Sequence, residues 1–294
     1  MLHLFADVDP SSMGASPFTP VFTQTMRYND GAFGISADEI ILMPSVSAFV
    51  GSDVVSGGGV AVDIKGGNNA LIDMGTNGEM LLNINGALYC TSTAAGPALE
   101  GADITCGMGG VAGAIDSVKS AGGKISYTTI GNAPPRGICG TGLVDAISVM
   151  LDTGVIDETG AFVSGESFYI TDKVFVSERD VRKFQLAKSA ISAGFETLLN
   201  SAGVKPEQID NVYISGGLGF YLNIESAVKT GLIPREIRDK VKVSGNTAGK
   251  GAVMTLTDKV MLNKAEDLCR TAHVVDLSQY SFFAEAFISN MYFL

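Results

Sequence analysis

The sequence predicts an α/β fold whose glycine-rich turns gather at one crevice, and three observations carry that prediction. Three short apolar strands, 69–74, 78–84 and 87–93, follow one another across turns so short that they must form an antiparallel meander. Three later segments, near 137–143, 215–223 and 243–252, pass from strand or loop into helix through clustered glycines. The 36 glycines are spread along the chain without a G-X-Y period, which fits a globular protein with many turns.

The elements follow in order. "EIILMPSVSAFV" (39–50) reads as a buried strand or an edge segment, because Pro44 cannot donate to a ladder. "GSDVVSGGGVAVDIK" offers Ser52 or Asp53 as a helix cap, while Gly57–Gly59 weaken any helix there. After the meander, "AAGPALEGADITCGMGGVAGAI" reads as a glycine-rich loop with a short helix. "KISYTTI" (124–130) is a strand by its β-branched and aromatic content. "GICGTGLVDAISVMLDTGVI" changes to helical period, with Leu143, Ile147, Met150 and Leu151 on one face. A longer helix spans 178–201 with Val181, Phe184, Ile191, Phe195, Leu198 and Leu199 as its apolar stripe, and Gly203 stops it. "NVYISGG" (211–217) is a buried strand ending in a glycine turn. "NIESAVKTGLI" is a helix capped by Asn223, and "VKVSGNTAGKGAVMTL" is a strand, a polar turn at 245–247 and another helix. The tail "SFFAEAFISNMYFL" is apolar, short and interrupted by Glu285, so it reads as a docked terminal helix.

With 294 residues, 46% of them hydrophobic, the chain can bury a sizeable core in one large or two lobed units. A net charge of −11 disfavours nucleic acid and anionic membranes as partners. No segment reaches the ~20 apolar residues of a spanning helix, and "MLHLFADVDPSS" lacks the basic start of a signal peptide. The four cysteines, Cys90, Cys106, Cys139 and Cys269, contain no C-x-x-C pair. That argues against locally spaced zinc or iron–sulfur sites and fits a reducing cytoplasm. The opening reads as the end of a helix without its cap, which raises the expectation of a piece of a longer protein.

The stretch "LIDMGTNGEMLL" (71–82) carries the chemistry. Glycines in such a turn let a phosphate approach the backbone, and Thr76, Asn77 and the turn amides can donate to its oxygens. Asp73 suits a hard cation such as magnesium, and Glu79 can orient water or add a second oxygen ligand. The same residues read equally as a plain hairpin turn with both acids in solvent. Glu100 in "AGPALEG" reads either as a group near the phosphates or as a loop contact. Cys139 stands at a helix N-terminus, but with only His3 and His273 as bases in the chain it reads as a small packing residue.

The order of "LIDMGTNGEMLL", "VYISGGLGFYLN" and "VSGNTAGKGAVMTL" resembles the second phosphate, adenosine and second connecting motifs of the acetate and sugar kinase, heat-shock chaperone and actin superfamily. More narrowly, "VSAFVGSDVVSG", "DMGTNGE", "CTSTAAGPALEGADITCGM", "GICGTGLVDAI" and "ISGGLGFYLN" resemble the ATP-dependent reductive activators of corrinoid proteins, through nearly the whole chain. The resemblance implies ribonuclease-H-like (actin-like ATPase) lobes, mixed sheets flanked by helices. Residues 1–66 would be the remnant of a first lobe and 67–294 a second, nucleotide-binding lobe with insertions. The implied cofactors are ATP and Mg2+.

Asp73 and Glu79 would be catalytic, Asp73 also the metal ligand, with Gly75, Thr76 and Asn77 around the phosphates. Gly216, Gly217 and Gly219 would pass close to adenosine, with Asn223 capping the next helix. Gly140, Thr141 and Gly142 would border the nucleotide, with Asp145 at the ribose, and Asn246, Thr247 and Gly249 would form the hinge between lobes. The superfamily's first phosphate motif is absent, as is the cysteine cluster that holds iron–sulfur centres in these activators; both are expected outside this chain. The implied function is the ATP-hydrolysing part of an activator that drives cob(II)amide to cob(I)amide. Its partner would be a corrinoid methyltransferase or a corrinoid iron–sulfur protein, with the apolar tail available to pair two copies. A small-molecule phosphotransferase and a non-catalytic interaction module are the alternatives.

Overall fold

The computed structural model describes residues 2–29, 31–62 and 64–293. A one-turn helix, α1 (Leu2–Phe5), and a two-stranded hairpin of β1 (Met26–Asn29) and β2 (Glu39–Leu42) open it. The strand predicted over 39–50 therefore ends at Leu42, two residues short of Pro44, where the ladder would lose its donor. Helix α2 (Ser52–Ser56) runs on into a π-helical turn at Gly57–Ala61. The glycines expected to weaken a helix there extend it, because they admit neighbours that a side chain would exclude. A Cβ on Gly57 would lie 2.5 Å from the Thr247 hydroxyl, and one on Gly58 2.4 Å from Leu81.

The meander forms with the predicted bounds: β3 (Asn69–Met74), β4 (Gly78–Ile84) and β5 (Ala87–Thr93) are antiparallel neighbours. The second turn, Asn85-Gly86, has positive φ at both residues, which matches the twist of the strands it joins. The chain then leaves for a separate three-stranded sheet, β6 (Ala114–Ala121), β7 (Lys124–Thr129) and β8 (Gly137–Ile138). It continues through α3 (Gly140–Asp152), the small hairpin of β9 (Ser167–Tyr169) and β10 (Phe175–Ser177), and the long α4 (Glu178–Ser201). Ser177 and Asp180 close a reciprocal cap on α4.

It returns to the main sheet as β11 (Asn211–Gly216), passes α5 (Ile224–Lys229) and re-enters as β12 (Val241–Gly245). Helices α6 (Thr247–Thr257) and α7 (Lys259–Thr271), the short β13 (His273–Val274) and α8 (Ser281–Ser289) complete the described chain. The predicted cap at Asn223 is in place, its side chain accepting from the amides of Glu225 and Ser226 at 3.1 and 3.4 Å. β6 and α7 were not read from the sequence.

The main sheet has six strands in the order β12-β11-β3-β4-β5-β13, with β3 parallel to β11 and antiparallel to β4. This is the predicted mixed sheet flanked by helices. α3 and α4 cover one face over Ala70, Ile72, Met74, Met80 and Leu82. α2, the π-turn and α7 cover the other over Leu71, Leu81, Leu88 and Cys90, with Val54, Val55, Ala265 and Leu268 filling the layer. Covering on both faces explains why these strands read as continuous apolar runs. Val50, Val54, Val55, Val60 and Ile64, on the N-terminal side of the boundary drawn at 66/67, thus share a core with the sheet. The apolar tail docks as expected: Gln185 and Lys188 of α4 donate to the carbonyls of Met291 and Tyr292 at 2.7 and 2.6 Å.

Candidate functional site

Strand pairing alone assembles the centre of the site. In the β3–β4 ladder Asp73 stands opposite Glu79, and in the β3–β11 ladder it stands beside Ser215. Because side chains alternate along a strand, these groups leave the sheet on the α2 side, at the end where β3 turns and β11 finishes. The Ser215 hydroxyl donates to Asp73 Oδ2 at 2.7 Å. Gly216 follows with φ +85°, and a Cβ there would lie 2.6 Å from Asp73 Oδ1 and 2.7 Å from the Met74 carbonyl. Asp73 and Gly216 are therefore neighbours at the same end of the sheet. Around Gly217 there is open space, whereas Gly219 is pressed against the backbone of Ser215 and Gly245.

Helix α2 closes the other side. Its N-cap residue, Gly51, donates its amide to Glu79 Oε1 at 3.1 Å, and Asp53 hydrogen-bonds the same carboxyl. A fourth acid, Glu100, arrives at the end of the 3-10 turn Pro97–Glu100 and accepts the Thr76 hydroxyl. None of the ion pairs among the described residues uses Asp53, Asp73, Glu79 or Glu100. At two of these acids the neutral form is instead favoured. Burial first, then the bond to and charge of Asp53, push the Glu79 carboxyl up to about 9, with Asp73 adding a smaller push. Burial also raises Asp73, against the lowering effect of Ser215, and the charges of Asp53 and Glu100 raise it further. Like charges facing across a ladder are unfavourable, so this end of the sheet favours a bound cation.

Of the residues expected at a ligand, Asp73, Gly75, Thr76, Asn77, Glu79, Gly216 and Gly217 come together here, with Thr76 and Asn77 exposed. Asn223 caps α5 beyond the same turn. Asn246 caps α6, accepting from the Gly249 amide at 2.7 Å. Thr247 is 1% exposed with no hydrogen-bond partner for its hydroxyl, and it faces Gly57. These three therefore lie where α6 crosses α2, set back from the acids.

The group at the start of α3 is a correction. Gly140, Thr141 and Gly142 are buried, and a Cβ on Gly140 or Gly142 would meet the carbonyl of Leu99 at 1.9 Å or of Ile115 at 2.2 Å. Thr141 donates to the Asp116 carbonyl at 3.0 Å. Asp145 is 2% exposed and accepts from the Val118 amide at 3.2 Å, so it has no accessible oxygen for a ribose. These glycines make room for neighbouring backbone, not for a ligand. Cys139 is buried as a packing residue, its thiol donating to the Ile115 carbonyl at 3.4 Å.

Two members of the site were missed. Asp53 was read only as a helix cap, and its contact with Glu79 bridges 26 residues of chain that no local pattern reports. Ser215 had a weak signal: it stands two residues after Tyr213 in β11, hence on the same face, next to the glycine turn.

The residues fit magnesium and a phosphate chain by the chemistry of the donors: hard carboxylate oxygens, exposed hydroxyl and amide donors, and a cradle at Gly216 that a Cβ would fill. No group of three or more His, Cys, Asp or Glu side chains among the described residues is arranged to hold a metal ion. The protein would thus give magnesium one or two oxygens, leaving the rest to phosphate and water, as is usual for that ion. The cysteines do not fit an iron–sulfur cluster, since Cys90 and Cys269 lie in the layer beneath α7, Cys106 packs against the opposite layer, and all four are free thiols. No described helix is long and apolar enough to cross a membrane.

Comparison with known proteins gives consistent matches. A family model described as the C-terminal domain of RACo, the ASKHA domain, matches residues 68–294, and one for the RACo middle region matches 1–65. The corrinoid activation enzyme RamQ of Eubacterium limosum is 32% identical over an alignment covering 100% of this chain and 54% of that protein. The [Co(II) methylated amine-specific corrinoid protein] reductase of Methanosarcina barkeri is 28% identical over 79% of this chain and 46% of its own length. Among solved structures, a reductive activator for corrinoid, iron–sulfur protein superposes with a TM-score of 0.91 at 32% identity, covering all of this chain and 51% of that one. The chain spans about half the length of the relatives it matches.

Proposed function

The chain belongs to the RACo family of corrinoid reductive activators, and from that premise we propose that it supplies the ATP-binding and ATP-hydrolysing part of an activator that drives cob(II)amide to cob(I)amide in a corrinoid protein. The single observation that carries this reading is the convergence of Asp73, Glu79, Ser215 and Gly216 on one sheet end, in a chain related along its whole length to a corrinoid activation enzyme.

Magnesium and ATP together would supply charge neutralisation and a hydrolysable phosphoanhydride. The chain's own residues do the positioning, which is most of what phosphoryl transfer asks of a protein. Ser215 holds one oxygen of Asp73, leaving the other, over Gly216, to face a cation or its water. Glu79, held by the Gly51 amide and Asp53, keeps a proton near neutral pH. It therefore adds an oxygen to the site without adding full charge. Thr76, Asn77 and the turn amides donate to phosphate oxygens, and Gly217 leaves the backbone open on the adenosine side.

Asn246, Thr247 and Gly249, at the α2–α6 crossing, would carry the nucleotide's effect to the neighbouring lobe as a shift in closure. The single electron that converts cob(II)amide to cob(I)amide comes from a low-potential iron–sulfur donor outside this chain; no electron step runs through the residues described here. The test is Asp73→Asn in titration calorimetry with MgATP. Affinity should fall on the order of tenfold or more, the loss of one charged ligand contact, while the melting temperature holds. Unchanged affinity would sink the assignment.

A further inference from the structure

Glu100 lies outside the ladder that builds the site, yet it holds one of the site's donors. Its Oε2 accepts the Thr76 hydroxyl, and its Oε1 lies 3.6 Å from where a Cβ on Gly75 would be. A threonine hydroxyl has one hydrogen to donate. The Glu100 carboxylate and a phosphate oxygen are therefore alternative acceptors for the same proton. They are also like charges beside the same turn.

What Glu100 is attached to gives the competition a consequence. The residue before it is wedged: the Leu99 carbonyl abuts Gly140 so closely that a Cβ there would come within 1.9 Å. The residue after it, Gly101, has φ +80° and opens the loop that runs to Gly113. That loop's stem is backbone against backbone. A Cβ on Gly101 would sit 2.2 Å from the Met108 carbonyl, and one on Gly107 2.0 Å from the Gly101 carbonyl. Two bonds tie the stem to β8, Met108 N to the Ile138 carbonyl at 2.9 Å and Ile138 N to the Cys106 carbonyl at 2.8 Å. The tip is different: residues 109–112 are exposed, Val111 by 57%, and nothing would touch a Cβ on Gly109. With Leu99 fixed, displacement of Glu100 turns outward through Gly101 into a stem that Asp103 and Thr105 also tie to α4, and that ends in an exposed tip.

We propose that Glu100 is a positioning residue that competes with nucleotide phosphate for the Thr76 hydroxyl, and that its displacement is passed to the 101–113 loop as the signal of a filled site. The inference rests on the nucleotide reading above. Glu100 faces solvent, so its variants keep the fold. Calorimetry with ATP, with and without magnesium, and amide deuterium exchange over 101–112 test it on the unaltered chain, Glu100→Gln and Glu100→Ala. Both variants should bind metal-free ATP on the order of tenfold more tightly, since one like charge near the phosphates is gone. Nucleotide should change exchange over 101–112 in the unaltered chain and leave it unchanged in Glu100→Ala. Equal or weaker binding by the variants overturns the competition, and a loop whose exchange ignores nucleotide in the unaltered chain overturns the transmission. Absence of any binding by the unaltered chain overturns the nucleotide reading, and this inference with it.

Discussion

Replacing Glu79 by glutamine isolates the proton stored at the end of the sheet. Its carboxyl faces Asp73, accepts from the Gly51 amide and contacts Asp53, and is pushed up to about 9 from an ordinary 4.5. Between these two values the folded chain keeps a proton that the unfolded chain has released. Stability is therefore fully present below 4.5, falls as pH rises, and levels off above about 9. At about 1.4 kcal/mol per unit, the whole shift sets a ceiling of about 6 kcal/mol. Asp53 is exposed and admits water to the pair, and that screening leaves on the order of 2–3 kcal/mol. Glutamine keeps the neutral shape and cannot titrate. Melts of both proteins from pH 5 to 9 should coincide at the acid end and diverge by roughly 5–10 °C at the alkaline end, the variant being the more stable. Groups elsewhere titrate in both proteins and cancel in the difference. Parallel melting profiles would refute the shared-proton account.

Two further outcomes follow from buried positions. Gly140→Ala puts a methyl 1.9 Å from the Leu99 carbonyl, backbone that cannot rotate away; an overpacking cost of roughly 3 kcal/mol outweighs the ~1 kcal/mol that alanine gains in a helix, and calorimetric unfolding should show a net loss. Lys188, buried beneath the tail, is lowered by burial from 10.5 to about 8, so the unfolded chain binds a proton that the folded one has lost and stability rises across that window. Lys188→Met should flatten that rise in urea midpoints measured between pH 8 and 10.5, and a rise that survives the substitution would reassign it to another group.

The elements most legible in the sequence were those whose signal is local. The meander and the helix from Glu178 to Ser201 have the bounds that apolar runs and turns predicted, and Asn223 and Asn246 cap where short polar side chains precede helices. The glycines were legible as necessary but not in their purpose. Gly75, Gly216 and Gly217 border the acids, whereas Gly140 and Gly142 exist so that two strands of backbone can touch a helix, and a one-dimensional pattern does not separate the two uses. Residues 114–121, "AIDSVKSA", carry a strand that was not read, because its alternation is broken by small residues and it is stabilised by β7 and β8. Asp53 was illegible for the opposite reason: its partner is remote in sequence and its own neighbourhood explains it fully as a helix-start residue.

The pairing of β3 with β11 has a consequence for how the molecule can fail. Ile72, Met74 and Ile214 point to the layer beneath α3 and α4, while Asp73 and Ser215 point to the opposite layer. A slip of one residue would exchange those sets, driving a carboxylate into hydrocarbon and a methionine into water. The sheet cannot misalign and stay folded, and it cannot fold without aligning its acids. Mutations that loosen this ladder should therefore forfeit solubility and ligand affinity together, leaving no well-folded but inert population behind.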